Sequence, residues 1–204
     1  MDVARRRILQ ALAGTALPAA GPPPRAVPGD GDGDGEHERF MWLAVDLART
    51  NPAYPFGAVI VATDTGEVLA RGVNAKASSP LLHGETAAIA DYVARHGNDG
   101  WAAATLYTTG EPCPMCTGAM IWAGLRRIVW ASSVDAIRSS GIPQIDLSVR
   151  EVTARADTFY APELLLGGVL ADCTDALFEQ AQQVRENAAG AGGPGLRPSA
   201  PARG

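Results

Sequence analysis

A chain of 204 residues holds one domain with extensions, and a 47% hydrophobic share is enough to fill that domain's core. The formal charge of −5 and pI near 5.2 exclude the basic footprint by which proteins gather polyanions, so a nucleic-acid partner is not expected.

The N-terminus carries Arg5-Arg6-Arg7 ahead of a moderately apolar stretch, Ile8 to Ala20. That stretch has signal-peptide length and is too short to cross a bilayer as a helix, so no stable membrane anchoring is expected. Residues 1–20 therefore read as a twin-arginine-type signal peptide with its cleavage site near Ala19-Ala20, and the protein as exported to the periplasm or the medium. The alternative is an extension without function on a cytoplasmic protein. Residues 21–35 are rich in Pro, Gly and Asp and read as a flexible linker. Asp30, Asp32, Asp34 and Gly35 imitate the start of a calcium loop, but Met41 stands where the bidentate Glu is required.

The domain is expected over 36–187. Glu36 to Thr50 reads as an amphipathic helix, with Phe40, Leu43, Ala44 and Leu47 at helical spacing. Phe56 to Val61 and Val68 to Val73 read as strands joined by the hairpin signal Asp64-Thr65-Gly66. A helix follows His83. Ala104 to Thr108 is a short strand, Met115 to Trp122 a helix and Arg127 to Ala131 another strand. Asp135 to Ser140 forms a short helix, Gly168 to Leu170 ends a weak last strand, and Asp172 to Glu186 is the final helix. The tail 188–204 is Gly, Ala and Pro without apolar period and reads as disordered. Strands alternating with helices predict a layered α/β fold. The helical segment before the last strand predicts a crossover and parallel pairing there.

The chemistry concentrates in His83-Gly84-Glu85 and Pro112-Cys113-Pro114-Met115-Cys116. Pro114 suits the first position of a helix, where its missing N–H costs nothing, so Cys113 becomes the cap and Cys116 shares its face one turn on. Free N–H groups and the positive helix end favour thiolates there, the form that binds metal. Residues two apart do not face each other on a helix, so His83 and Glu85 can share a site only around a helix end. Two helix N-termini are thus predicted to converge on one metal. Two cysteines and a histidine leave a fourth tetrahedral position free, as a catalytic zinc requires. A redox Cys-x-x-Cys pair would not explain His83 or Glu85. A structural zinc would need a fourth ligand, for which Cys173 and His37 are the candidates. Cys173 otherwise reads as a packed side chain and His96 as a solvated residue at a helix end.

The H-x-E…P-C-x-x-C pattern is the signature of zinc deaminases. Together with Pro55-Phe56-Gly57-Ala58-Val59-Ile60-Val61, Gly72-Val73-Asn74 and Thr109-Gly110-Glu111 leading into the cysteines, it makes the chain resemble the cytidine-deaminase-like superfamily over about Glu36 to Glu186. Within that superfamily it is similar to the guanine deaminase and tRNA adenosine deaminase branch. The resemblance implies a three-layer α/β/α fold with a five-stranded mixed sheet, usually in a homodimer. It implies one zinc ion per chain on His83, Cys113 and Cys116, with Glu85 as the catalytic proton shuttle. Asn74 matches a polar contact to the base, or else is a turn residue after a strand. Phe56 matches an aromatic that lines the pocket, or is a core residue. Asp135 matches a second acidic group, or is a helix cap. Gly84 stands where the family more often has Ala and keeps the backbone N–H. The implied activity is hydrolytic deamination of a nucleobase or nucleoside, guanine first, giving xanthine and ammonia. A tRNA adenosine deaminase is the alternative, disfavoured by the negative charge. A catalytically silent zinc-binding module is a third reading.

Overall fold

The structure, a computed structural model, describes residues 33–191. The expected signal peptide, most of the linker and residues 192–204 of the tail lie outside the described residues. The described elements are α1 (Gly33–Ala48), β1 (Gly57–Ala62), β2 (Val68–Val73), α2 (Gly84–His96), a 3₁₀ turn (Trp101–Ala103), β3 (Ala104–Gly110), α3 (Pro114–Ala123), β4 (Arg127–Ser132), α4 (Val134–Ser139), α5 (Val149–Ala154), β5 (Leu164–Leu166) and α6 (Ala171–Ala191).

The five strands form one sheet in the order β2-β1-β3-β4-β5. The first three alternate antiparallel, through the β1–β2 hairpin and the β1–β3 pairing of Ala58 with Thr108. The last two add in parallel, which the crossover predicted for the last strand. Strand β3 is central and every one of its residues is buried. Side chains of β1 alternate between two cores. Val59 and Val61 meet Phe40, Met41 and Ala44 of α1 with Tyr107 and Val129, while Ala58 and Ile60 meet Ala88 and Tyr92 of α2 and Cys116 and Met120 of α3. Helix α6 packs on β3 and β4 and, through Phe178, on Ile137 of α4. Helices on both faces of a mixed sheet make the expected three-layer α/β/α architecture. Among the described residues no helix is long and apolar enough to cross a membrane.

Gly72 sets how closely α2 approaches the sheet. A Cβ there would collide with the carbonyl of Gly84 and the N–H of Ala88, so only glycine lets the first turn of α2 rest on β2.

Several boundaries differ from the sequence reading. Helix α1 starts at Gly33, inside the expected linker, because Gly and Asp are poor helix formers by propensity and masked the first turn. The last strand is Leu164–Leu166, not a segment ending at Leu170. Gly168 and Leu170 have φ of 90° and 59°, which no strand accommodates, and the Leu170 carbonyl accepts the N–H of Cys173 and Thr174 as α6 begins. Helix α6 runs on to Ala191, through the start of the expected tail. Helix α5 was not expected. Its start is a capping box, Ser148 accepting from the N–H of Glu151 while the Glu151 carboxylate accepts from the N–H of Ser148.

Candidate active site

Two helix N-termini meet at the carboxyl end of β3. His83 caps α2 in extended conformation, with its backbone N–H donated to the Thr86 hydroxyl at 2.9 Å. Cys113 caps α3 with Pro114 at the first helical position, as expected, and Cys116 lies buried one turn on. The Sγ atoms of Cys113 and Cys116 are 3.6 Å apart, and the His83 Nδ1 is 3.5 Å from the first and 3.6 Å from the second. A disulfide is excluded, since its sulfurs would stand about 2.05 Å apart. Zinc–sulfur bonds of about 2.3 Å and a zinc–nitrogen bond of about 2.1 Å at tetrahedral angles require edges of roughly 3.8 Å and 3.6 Å, so the three donors already stand at the corners of a zinc tetrahedron. No other His, Cys, Asp or Glu among the described residues joins this cluster. His37 instead meets the Tyr107 hydroxyl at 3.0 Å, and the His96 ring bonds the Leu69 carbonyl in the exposed last turn of α2. The fourth-ligand requirement of a structural zinc is therefore not met by His37 or Cys173.

The electrostatics suit a cation. A hydrogen bond from Cys116, then one from His83, pushes the Cys113 thiol down to about 4 against the opposing cost of burial. The Cys116 thiol is pushed up, first because its proton is held by Cys113 and then by burial. The pair forms one thiolate readily and a second only against a positive ion.

Glu85 lies in the first turn of α2, 3% exposed, with the Thr108 hydroxyl 3.3 Å from its Oε1. Burial, then the neighbouring Cys113, raises its pKa above the ordinary carboxylate value. It is not among the cluster's donors, so it is free to carry protons. Next to His83 opens a cleft of about 440 Å³ lined by Asn51, Tyr54, Asn74, Lys76 and Pro80 among others. Asn74 is buried and lines the cleft, and its Oδ1 accepts the Lys76 N–H at 3.2 Å in a local turn, which is the turn reading of that residue.

The remaining candidates behave differently. Gly84 is buried at the first position of α2, where a Cβ would come within 2.9 Å of the Phe56 carbonyl oxygen. An alanine there would force the Phe56 backbone to shift. The Phe56 ring packs on Phe178, centroid to centroid 4.9 Å, beside Ile137, which is the core alternative. Asp135 stands exposed in the first turn of α4 with Arg138 at 3.7 Å. The cap of that helix is Ser133, whose Oγ accepts the Ala136 N–H, and not Asp135. Neither Phe56 nor Asp135 lines the cleft.

Glu111 received no role from the sequence. Its buried carboxylate accepts the first helical N–H of α4, Val134, at 3.1 Å and that of α5, Val149, at 3.0 Å. It thereby ties the loop that carries Cys113 to two helix starts, and a carboxylate at a helix N-terminus is the favoured charge. The only hint was a charged residue wedged between an apolar strand and Pro112. Glu111→Ala is expected to cost roughly 3 kcal/mol by stranding two buried N–H groups, a fall in Tm measurable by calorimetry.

Three metal donors at two helix caps, an unligated buried carboxylate and an adjoining cleft, all at one end of a five-stranded α/β/α sheet, define a zinc-dependent hydrolase of the deaminase class. Residues 34–132 match the cytidine and deoxycytidylate deaminase zinc-binding region. The guanine deaminase of Bacillus subtilis is 38% identical over 102 residues, 47% of this chain and 64% of that one. The cytosine deaminase of Candida albicans is 31% identical over 105 residues, 48% and 69%. A tRNA-specific adenosine deaminase of Streptococcus pyogenes is 38% identical over 81 residues, 39% and 50%. The chain thus spans half to about two thirds of the length of these curated relatives. The solved guanine deaminase of Nitrosomonas europaea superposes with a TM-score of 0.62 at 26% identity, covering 82% of this chain and 97% of that one. The chain belongs to the zinc-dependent cytidine and deoxycytidylate deaminase family.

Proposed function

We propose that this chain hydrolyses the exocyclic amino group of a nucleobase, guanine before others, to give xanthine and ammonia. The observation that carries the reading is Glu85: a buried carboxylate, raised in pKa, beside a three-donor metal site and outside its donor set. Guanine is favoured over other bases by the similarity to the Bacillus subtilis and Nitrosomonas europaea guanine deaminases.

Zinc held by His83, Cys113 and Cys116 would supply a Lewis acid that brings the pKa of bound water from about 15.7 towards about 7. The chain's own residues then account for proton movement. Glu85 takes a proton from the attacking water and delivers it to the ring nitrogen next to the reacting carbon, then takes the remaining proton of the new hydroxyl and passes it to the departing amine. Water enters and ammonia leaves, so the ring gains a carbonyl and nothing is oxidised. Its raised pKa brings Glu85 closer to working pH, where a shuttle both accepts and releases protons well. Asn74 orients the ring, since the turn that occupies its Oδ1 leaves its amide N–H groups for a ligand.

Ammonia release by zinc-loaded protein is the test, with guanine, cytosine, adenosine, guanosine and cytidine as substrates. Guanine is expected to exceed the others at least roughly tenfold in kcat/KM, the discrimination of about 1.4 kcal/mol that one well-placed polar contact provides. Turnover of none of the five would refute the reading.

A tRNA adenosine deaminase is the second reading, supported by the Streptococcus pyogenes relative. The best basic cluster, Arg126 and Arg127, is committed to Glu163 at 3.6 and 3.8 Å, which weakens it as a phosphate site. Salt-sensitive binding to a tRNA anticodon stem would favour this reading over guanine. The homodimer is also proposed: Trp122, 80% exposed, stacks on the exposed Phe159 at 5.2 Å, an aromatic pair that water solvates poorly. Export by the twin-arginine route is proposed from Arg5-Arg6-Arg7 and the apolar stretch after them. Changing Arg5 and Arg6 to Lys is expected to trap the full-length protein in the cytoplasm, and fractionation checks it.

A further inference from the structure

The outer wall of the cleft carries a charge that the proton transfers above do not use. Lys76 is the only lysine in the chain; the other sixteen of its seventeen Lys and Arg residues are arginines. It lines the cleft next to Tyr54 and His83, with its Nζ 3.3 Å from the centre of the Tyr54 ring. An ammonium on an aromatic face is held in place but keeps its hydrogen-bond donors. Among the described residues no carboxylate lies within ion-pair distance of it. Tyr54 is fixed in turn. The Arg185 guanidinium of α6 lies 5.4 Å from the same ring and donates to the carbonyls of Ala53 at 2.9 Å and Ser140 at 2.7 Å. The position of the ammonium is therefore built by three segments, and Asn74 adds to it by binding the Lys76 N–H.

We propose that Lys76 is a specificity-determining residue: with the Asn74 amide it gives the cleft a donor-only outer edge. That edge takes a base through a ring carbonyl or an anionic ring, on the side away from the amino group that leaves. The inference rests on the nucleobase reading of this site. Lys76 is exposed in the free protein, so only a bound ligand desolvates its charge: one that brings an acceptor satisfies the ammonium, and one without it covers the charge and leaves it unpaired.

The experiment compares guanine with 2-aminopurine, which has the same amino group but lacks the carbonyl. In wild type the preference for guanine is expected to be at least roughly tenfold in kcat/KM, from one hydrogen bond to a charged donor. Lys76→Met should remove most of it, through KM for guanine, with little change for 2-aminopurine. Lys76→Arg should keep it, because a cation still rests on Tyr54. A preference untouched in Lys76→Met overturns the proposal. A second readout does not depend on turnover. Reductive methylation modifies only the N-terminal amine and Lys76, and guanine bound to zinc-loaded protein should slow the modification of Lys76 alone, read by peptide mass. Full modification at saturating guanine overturns the proposal as well. Wild type that fails to turn over guanine, while cytosine still shields Lys76, refutes guanine as substrate and leaves the role of Lys76 standing. Shielding by no base refutes both.

Discussion

Glu85→Gln is expected to abolish ammonia release while zinc stays at one per chain and the circular dichroism spectrum is unchanged. The two side chains have the same shape, and Gln can still accept the Thr108 hydroxyl that stands 3.3 Å from Oε1. What is lost is a group able to take and return a proton, a contribution of roughly 10²–10⁴-fold in rate. The stability change has the opposite sign. Burial, not a partner, is the first cause that raises the Glu85 pKa, so the ionised side chain costs folding free energy at every pH above its unfolded value. In metal-stripped protein, where no cation offsets that cost, Glu85→Gln should unfold at or above the wild-type temperature at pH 7. Ammonia release at the wild-type rate by Glu85→Gln would remove the proton shuttle from the reading and favour a silent zinc-binding module.

The parts of this molecule that were legible in its sequence are those decided within one turn of chain. Pro114 after Cys113 marks a helix start because proline's missing N–H is harmless only there, and the structure has Cys113 as the cap. The impossibility of His83 and Glu85 sharing a helix face forces His83 to a helix end, which is where it lies. The apolar run 56–61 and the turn at Asp64-Thr65-Gly66 located the hairpin to within a residue. The capping box of α5, Ser148 with Glu151, was equally local and equally readable, but no apolar period longer than one turn accompanied it. What could not be read depends on partners far along the chain. Three leucines at 164–166 are a strand because Arg127, Ile128 and Val129 lie beside them. Whether Phe56 faces a ligand or Phe178 is decided by α6, more than a hundred residues later. Glu111 acquires a role from Val134 and Val149, and Lys76 from Tyr54 and Arg185. Polar side chains with distant partners carry no period, so spacing does not expose them.

Cys113→Ala and Cys116→Ala are each expected to release the zinc and to lower Tm by the same amount that a chelator lowers it in wild type. At free zinc about a thousand times its Kd, metal binding stabilises the native state by about 4 kcal/mol. For a domain of this size that is roughly 8–16 °C in Tm. The metal joins the first turns of α2 and α3, which touch each other little otherwise, so its loss loosens the site first and the sheet later. Chelator should therefore shift Tm in wild type and not in either cysteine variant. His83→Ala is expected to weaken zinc less, because water replaces a neutral ligand more easily than a thiolate. Cys173→Ala should keep one zinc per chain, since Cys173 stands outside the cluster. The pH dependence follows from the thiols. Without metal Cys113 is already ionised at neutral pH, its pKa near 4, whereas Cys116 keeps its proton. Binding must expel that proton, and below the raised pKa of His83 the imidazolium proton as well, so zinc affinity should rise with pH by at least about tenfold per unit. Competition with a chromophoric chelator at several pH values between 6 and 8 measures the slope. A flat profile, or zinc lost from Cys173→Ala and kept by Cys116→Ala, would show that the ion is held by a different set of donors.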